Sequence, residues 1–117
     1  MMVQGRVVDR RQHPRVPYGA YVKQIDPTGK TRFCLARNLS LGGILLLADP
    51  PPPLGERLRL LLVIENESQS MFIEAEVVRH GASNGDTCFG ARFVNVDQEQ
   101  RAFVETLVGG LAAPHAD

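Results

Sequence analysis

Apolar and polar positions along this chain fall into six strand-like stretches and one helix-like stretch. Tyr18 to Ile25 and Thr31 to Asn38 flank Asp26-Pro27-Thr28-Gly29, which has proline and glycine in turn positions, so the two predict a hairpin. Gly42-Gly43 breaks the backbone before Ile44 to Ala48, a short apolar strand. Pro50 to Pro53 then ends regular pairing, because proline cannot donate to a ladder, and Gly55 opens the next strand. Leu58, Leu60, Leu62 and Ile64 recur at period two, while Leu61 and Val63 blur the alternation and predict cover on both faces. Glu65 to Ser70 reads as a polar hairpin loop. Ile73, Ala75 and Val77 alternate with Glu74 and Glu76, a half-buried strand with both carboxylates on a solvated face. Asn84-Gly85 signals a turn inside a loop longer than two residues, and Thr87 to Val94 is the last strand.

The period then changes. Asp97 followed by Gln100 resembles a capping pair, and Phe103, Val104, Leu107, Val108 and Leu111 form an apolar stripe at helical spacing. Gly109-Gly110 weakens the end of that helix. The fold class expected is all-β with one helix: a six-stranded antiparallel β-barrel with a C-terminal α-helix packed on it. Ahead of the strands lies a polar segment in which Arg6-Val7-Val8 is a short strand or a docking segment. The expected division is a flexible N-terminal arm over 1–16, the barrel and helix over 17–111, and a disordered tail over 112–117. No internal repeat or domain linker interrupts it.

At 117 residues and 44% hydrophobic, the chain suits one domain that buries about two-thirds of its unfolded surface without metal or disulfides. Its longest apolar runs, such as Leu60 to Ile64, are too short to cross a bilayer, and the N-terminus has no apolar secretory stretch. The expectation is a cytoplasmic protein without membrane insertion. Cys34 and Cys88 sit in apolar contexts with no metal-ligand spacing and are expected to be buried, reduced thiols. The net charge of zero hides an asymmetry. Residues 1–38 carry eight basic and two acidic side chains, a net +6, and the rest of the chain is −6. That polarity predicts an anionic ligand near the N-terminal third, or an arm that only pairs with an acidic surface.

Arg10-Arg11-Gln12-His13-Pro14-Arg15 focuses this charge. Pro14 and Pro17 push the residues before them toward extended backbone, so Arg11 and Arg15 stand up to about 13 Å apart rather than on one helix face. That spacing fits a large anion gripped at two points, and guanidinium suits both phosphate and the O6/N7 edge of guanine. Alone, two arginines four apart read as a solvated basic arm. A second group follows in Asn38-Leu39-Ser40-Leu41-Gly42-Gly43. Alternation places Asn38 and Ser40 on one face, and Gly42 and Gly43 permit positive φ or close backbone approach to a flat ligand. Alone, it is ordinary strand-to-turn chemistry.

Taken together, Arg11-x-x-x-Arg15 and Asn38-x-Ser40-x-x-Gly43 resemble the paired signature of PilZ domains, bacterial receptors for cyclic di-GMP (c-di-GMP). The resemblance covers about residues 10–111 and includes Gly90-Ala91-Arg92-Phe93 as a typical ending. It implies that Arg11 and Arg15 hold phosphate and guanine, that Asn38 and Ser40 line the guanine-binding face, and that Gly43 keeps the adjoining turn open. Arg10, just ahead of the motif, implies two intercalated ligand molecules rather than one. Asn38 stands where many relatives carry aspartate, which removes a carboxylate able to pair with arginine or guanine N–H groups. The implied function is a non-enzymatic receptor with no prosthetic group. Binding would clamp the arm onto the barrel and change a surface for an unidentified downstream protein acting in trans, as monomer or homodimer, in processes such as motility or exopolysaccharide export.

Two alternatives remain beside it: a barrel of the same fold that works only by protein contacts, and a small nucleic-acid-binding barrel. The second should carry aromatic platforms on its strands, whereas the seven Phe and Tyr residues are scattered and most read as core. Catalysis has no visible machinery. His13, His80 and His115 lack metal or catalytic spacing, with His80 expected at a strand end; Ser40 has no adjacent activating partner, and no Walker-type phosphate loop is present.

Overall fold

The structure, a computed structural model, describes residues 14–64 and 68–112. Arg6 to His13, with Arg10 and Arg11 among them, and His115 lie outside the described residues. The elements are β1 (Val16–Pro17), β2 (Tyr21–Ile25), β3 (Thr31–Leu39), β4 (Gly43–Leu47), β5 (Arg57–Ile64), β6 (Gln69–Ser83), β7 (Asp86–Phe93) and the helix α1 (Gln98–Ala112). All pairings are antiparallel. Strands β3-β2-β5-β6-β7-β4 follow one another, and β4 pairs back to β3, closing a six-stranded barrel. The two-residue β1 takes the edge of β3 beyond the point where β2 leaves it, with Val16 opposite Leu39 and Pro17 opposite Asn38.

Closure removes open sheet edges and turns alternate side chains into one core. Leu58, Leu60 and Leu62 are fully buried there with Ile73, Phe89, Ile44 and Leu46. Leu61 and Val63, which blurred the alternation, are only half-buried on the outer face. Gln24 and Ser40 are the buried polar residues among those described, and Gln24 Oε1 accepts hydrogen bonds from Cys34 Sγ at 3.2 Å and Arg32 Nε at 3.4 Å. Burial pushes the Cys34 thiol pKa up, against the opposing charge of Arg32. Both cysteines are buried and unbridged. The helix begins with the expected reciprocal cap: Gln100 N donates to Asp97 Oδ1 at 2.7 Å, and Asp97 N donates to Gln100 Oε1 at 2.9 Å. Phe103, Val104 and Leu107 then bury the helix against β1 and β6.

Several local expectations change. β6 is 15 residues long, beginning at Gln69 within the expected loop and running on to Ser83. Its polar end, Gly81 to Ser83, pairs with Asp86 to Cys88, so backbone pairing carries the strand past its apolar stretch. Asn84-Gly85 is consequently a tight two-residue turn with φ of 52° and 85°, the positive pair of a type I′ hairpin. His80 lies inside this strand, its Nε2 2.6 Å from the Pro52 carbonyl. Glu74 and Glu76 are ion-paired across strands with Arg57 and Arg92 rather than left to solvent. The helix passes through Gly109-Gly110 to Ala112, one residue into the expected tail. Tyr21 and Phe33 are 69% and 67% exposed, and Phe72 is exposed with them, so three of the seven Phe and Tyr residues face outward.

Candidate functional site

Strict alternation along β3 would turn Asn38 inward behind Cys34 and Ala36, both of which are buried. A β-bulge between Ala36 and Asn38 prevents this: Ala36 pairs with Leu46 and Asn38 with Leu45, leaving Arg37 as the extra residue. Bulges re-aim side chains in this way. Leu39 becomes the core residue, and Asn38 is half-exposed on the outer wall. There Arg15 Nη1 donates to Asn38 Oδ1 at 2.7 Å. The pairing of β1 with β3 sets up that contact, because Pro17 opposite Asn38 brings the chain just before it over the same spot.

Ser40 follows the end of β3, so alternation no longer governs it. It is 5% exposed, and its Oγ accepts from Gly42 N and Gly43 N, both at 3.2 Å. Ser40 N donates to the Gly43 carbonyl at 2.9 Å, and Phe93 N donates to the Gly42 carbonyl at 2.9 Å, tying the turn to the end of β7. Gly43 is required by contact rather than by positive φ. A Cβ there would lie 2.5 Å from the Ala91 carbonyl oxygen and 3.3 Å from Arg92 Cα, both backbone atoms of β7. The Asn-x-Ser-x-x-Gly spacing therefore does two jobs: Asn38 faces outward, while Ser40, Gly42 and Gly43 hold the β3–β4 turn against β7.

Of the seven residues singled out from the sequence, Arg15, Asn38, Ser40, Gly42 and Gly43 come together at this corner, and Arg10 and Arg11 lie outside the described residues. Arg37, at the bulge, was missed. Its Nη2 reaches Asp86 Oδ2 at 3.2 Å, and its buried Nε has no hydrogen-bond partner. Its place beside Asn38 was the only signal available. Beyond the turn, a 200 Å³ recess lined by Leu41, Gly42, Phe93, Val96, Arg101 and Val104 separates it from α1. A larger groove of 580 Å³ lies on another side, between the β2–β3 turn and Phe72, and its polar groups are engaged in the Arg57–Glu74 pair and the Arg59–Phe72 stack. Among the described residues no cluster of His, Cys, Asp or Glu could hold a metal, and no helix is long and apolar enough to cross a membrane.

On the outer wall this corner sets the Arg15 guanidinium beside the Asn38 carboxamide, a composition suited to holding a ligand. Among solved structures, the fold is similar to the c-di-GMP-bound PilZ domain of YcgR from Escherichia coli (18% identity, 88% of this chain and 92% of that one, TM-score 0.70). It is also similar to MotI/DgrA, an inhibitor of motility from Bacillus subtilis (21%, 86% and 50%, 0.73), and to the PilZ domain of CeSA from a cellulose-synthesizing bacterium (20%, 86% and 99%, 0.68). The chain thus spans half of MotI and nearly all of the two isolated domains. A search of curated protein sequences finds no match. The PilZ domain model matches residues 9–110, which takes in both arginine and asparagine motifs, every strand and most of the helix, and the chain belongs to the PilZ domain family.

Proposed function

We propose that the protein is a non-enzymatic receptor for c-di-GMP, with Arg10, Arg11 and Arg15 on the arm and Asn38 with the Ser40–Gly43 turn on the barrel. The observation that carries this reading is the 2.7 Å hydrogen bond from Arg15 to Asn38, which joins the two halves of the signature across 23 residues of sequence. YcgR and MrkH, both of this fold, have been solved with c-di-GMP, which supports the choice of ligand. The ligand has two phosphates and two guanines, so it can engage arm and wall together. Each charge-assisted hydrogen bond contributes about 1.5–3 kcal/mol, against about 1–2 kcal/mol for each arm residue whose backbone becomes ordered. Clamping therefore needs several contacts at once. The clamped arm then changes the surface seen by a partner, a population shift driven by the ligand's preference for the closed state.

Ser40 acts in this account by shaping the turn. Ser40→Ala would weaken binding indirectly, through loss of the acceptor for two turn amides. Arg11→Ala and Arg15→Ala should each abolish or severely weaken c-di-GMP binding in calorimetry; unchanged affinity in both would refute the clamp. A second reading is favoured by the exposed Tyr21 and Phe33, with Lys23 between them on the β2–β3 face. Such a face suits protein contact or base stacking without any cyclic dinucleotide. Titration with c-di-GMP, GTP and a random oligonucleotide separates the readings, since oligonucleotide binding would fall steeply with salt.

A further inference from the structure

Strands β3, β2, β5 and β6 share one outward row. Phe33 stands opposite Lys23, Lys23 opposite Leu61, and Leu61 opposite Phe72. Val22 and Gln24, which flank Lys23, and Leu60 and Leu62, which flank Leu61, are buried, so alternation fixes the row on the outside. Three strand spacings make it about 14 Å long. Tyr21 and Leu35 pair beside it on one side, and Ile25 and Arg59 on the other. Tyr21, Phe33 and Phe72 are exposed, and Leu35, Leu61 and Ile25 are half-buried. At the Phe72 end this apolar surface falls into the 580 Å³ groove, which Ile25, Arg59 and Phe72 help to line.

The charges on these residues are both positive. Lys23 lies within the row, and Arg59 stands at its border with its guanidinium carbon 4.8 Å from the centroid of the Phe72 ring. Neither makes an ion pair or hydrogen bond with a described residue. The carboxylates nearest in the ladders and turn are committed elsewhere. Glu74, opposite Arg59, is held by Arg57 and Asn95. Asp26 Oδ1 accepts from Thr28 N, Thr28 Oγ1 and Lys30 N inside its own turn. The wall thus presents apolar side chains and two uncompensated cations.

We propose that this wall docks an acidic, apolar segment of another protein, with Lys23 and Arg59 pairing its carboxylates and a leucine or aromatic side chain seated in the groove beside Phe72. Exposed aromatic residues gathered on one face mark an interaction surface, and charge complementarity selects the partner. Side chains make the contact, because the closed barrel leaves no edge here for an added strand. A second copy fits poorly: a two-fold contact over this row sets its cations against their own copies with no carboxylate between them. A lipid surface fits poorly too, since such sites gather about four to eight basic residues. The partner chemistry rests on the protein-contact reading of this face, and the Asn38 corner, over β1, β3, β4 and β7, takes no part in it.

The test is an NMR titration of the isotope-labelled full chain with a short amphipathic peptide of Leu, Phe and Glu, and with its counterpart carrying Lys for every Glu. The Glu peptide should shift the amides of Tyr21, Lys23, Phe33, Leu61 and Phe72 and bind about tenfold tighter than the Lys peptide. Lys23→Glu combined with Arg59→Glu should reverse that preference. Lys23→Glu alone, which leaves the Arg59–Phe72 stack in place, should narrow it. Phe33→Ser should weaken the Glu peptide about tenfold with the thermal midpoint unchanged. The c-di-GMP affinity of these variants should match that of the unmodified chain, so failure of the docking wall and failure of the receptor reading are seen separately. No binding of the Glu peptide, shifts centred elsewhere, or a preference that survives charge reversal would overturn the proposal. Two further results would also overturn it: binding to phosphatidylglycerol–phosphatidylcholine vesicles that Lys23→Glu abolishes assigns the wall to lipid, and sedimentation showing self-association that Phe33→Ser abolishes assigns it to a second copy.

Discussion

At the scale of single residues, Gly43 shows how a signature position can serve the scaffold. Its missing side chain lets β4 run against the backbone of β7, where the obstructing atoms cannot rotate away. Gly43→Ala should cost about 1–3 kcal/mol, seen as a lower denaturant midpoint at unchanged slope; an unaltered midpoint would mean that β7 yields easily. Glu74 gives a second residue-scale expectation. Hydrogen bonding from Asn95, then from Arg57, holds its carboxyl below the usual 4.5. A depressed folded-state pKa adds stability above the unfolded-state value and loses it as pH falls through the folded one. Stability should therefore decline on acidification below about pH 4.5, and Glu74→Gln should flatten that decline. A variant with the same acid profile would show that other carboxylates dominate. Neither role was open to period-two reasoning, which placed Glu74 on a solvated face: the partners come from β5 and from the segment after β7, far away in sequence.

Among the elements, the most legible were those whose chemistry is local. The α1 cap is contained in four residues, Asp97 to Gln100, and forms as expected. Asp97→Ala should cost about 1 kcal/mol, detectable as a lower melting temperature; no shift would mean that helix packing on β1 and β6 alone sets the N-terminus. The inward row of β5, Leu58, Leu60 and Leu62, was equally plain, whereas the cover expected over Leu61 and Val63 is only partial. What escaped was register. Bulges at Arg37 and Val78 leave no mark on composition, yet they decide which faces Asn38 and Arg79 occupy. The length of β6 escaped for a related reason, since its polar end is held by backbone bonds to β7 and not by apolar burial. The corner's membership was readable from Asn38 to Gly43, but the division of labour within it was not, because it depends on which hydroxyl and which amides face one another after the turn closes.

For the whole molecule, the arm's attachment point matters most. The chain enters the barrel through β1, which pairs with the end of β3 beside Asn38 and also packs against α1. Ligand-driven movement of the arm would thus be felt at both the wall and the helix. The outer β2–β3 face, with Tyr21 and Phe33 exposed, is where the second reading would have its contacts. The central claim is that the basic arm and the Asn38 corner hold a cyclic dinucleotide between them. Calorimetric titration of the full chain with c-di-GMP, reading affinity and stoichiometry together, tests it most directly. The account predicts saturable micromolar or tighter binding with two ligand molecules per chain, falling toward one in Arg10→Ala. Folded protein that gives no binding heat at micromolar ligand, and no protection of the arm amides in hydrogen exchange, would contradict it.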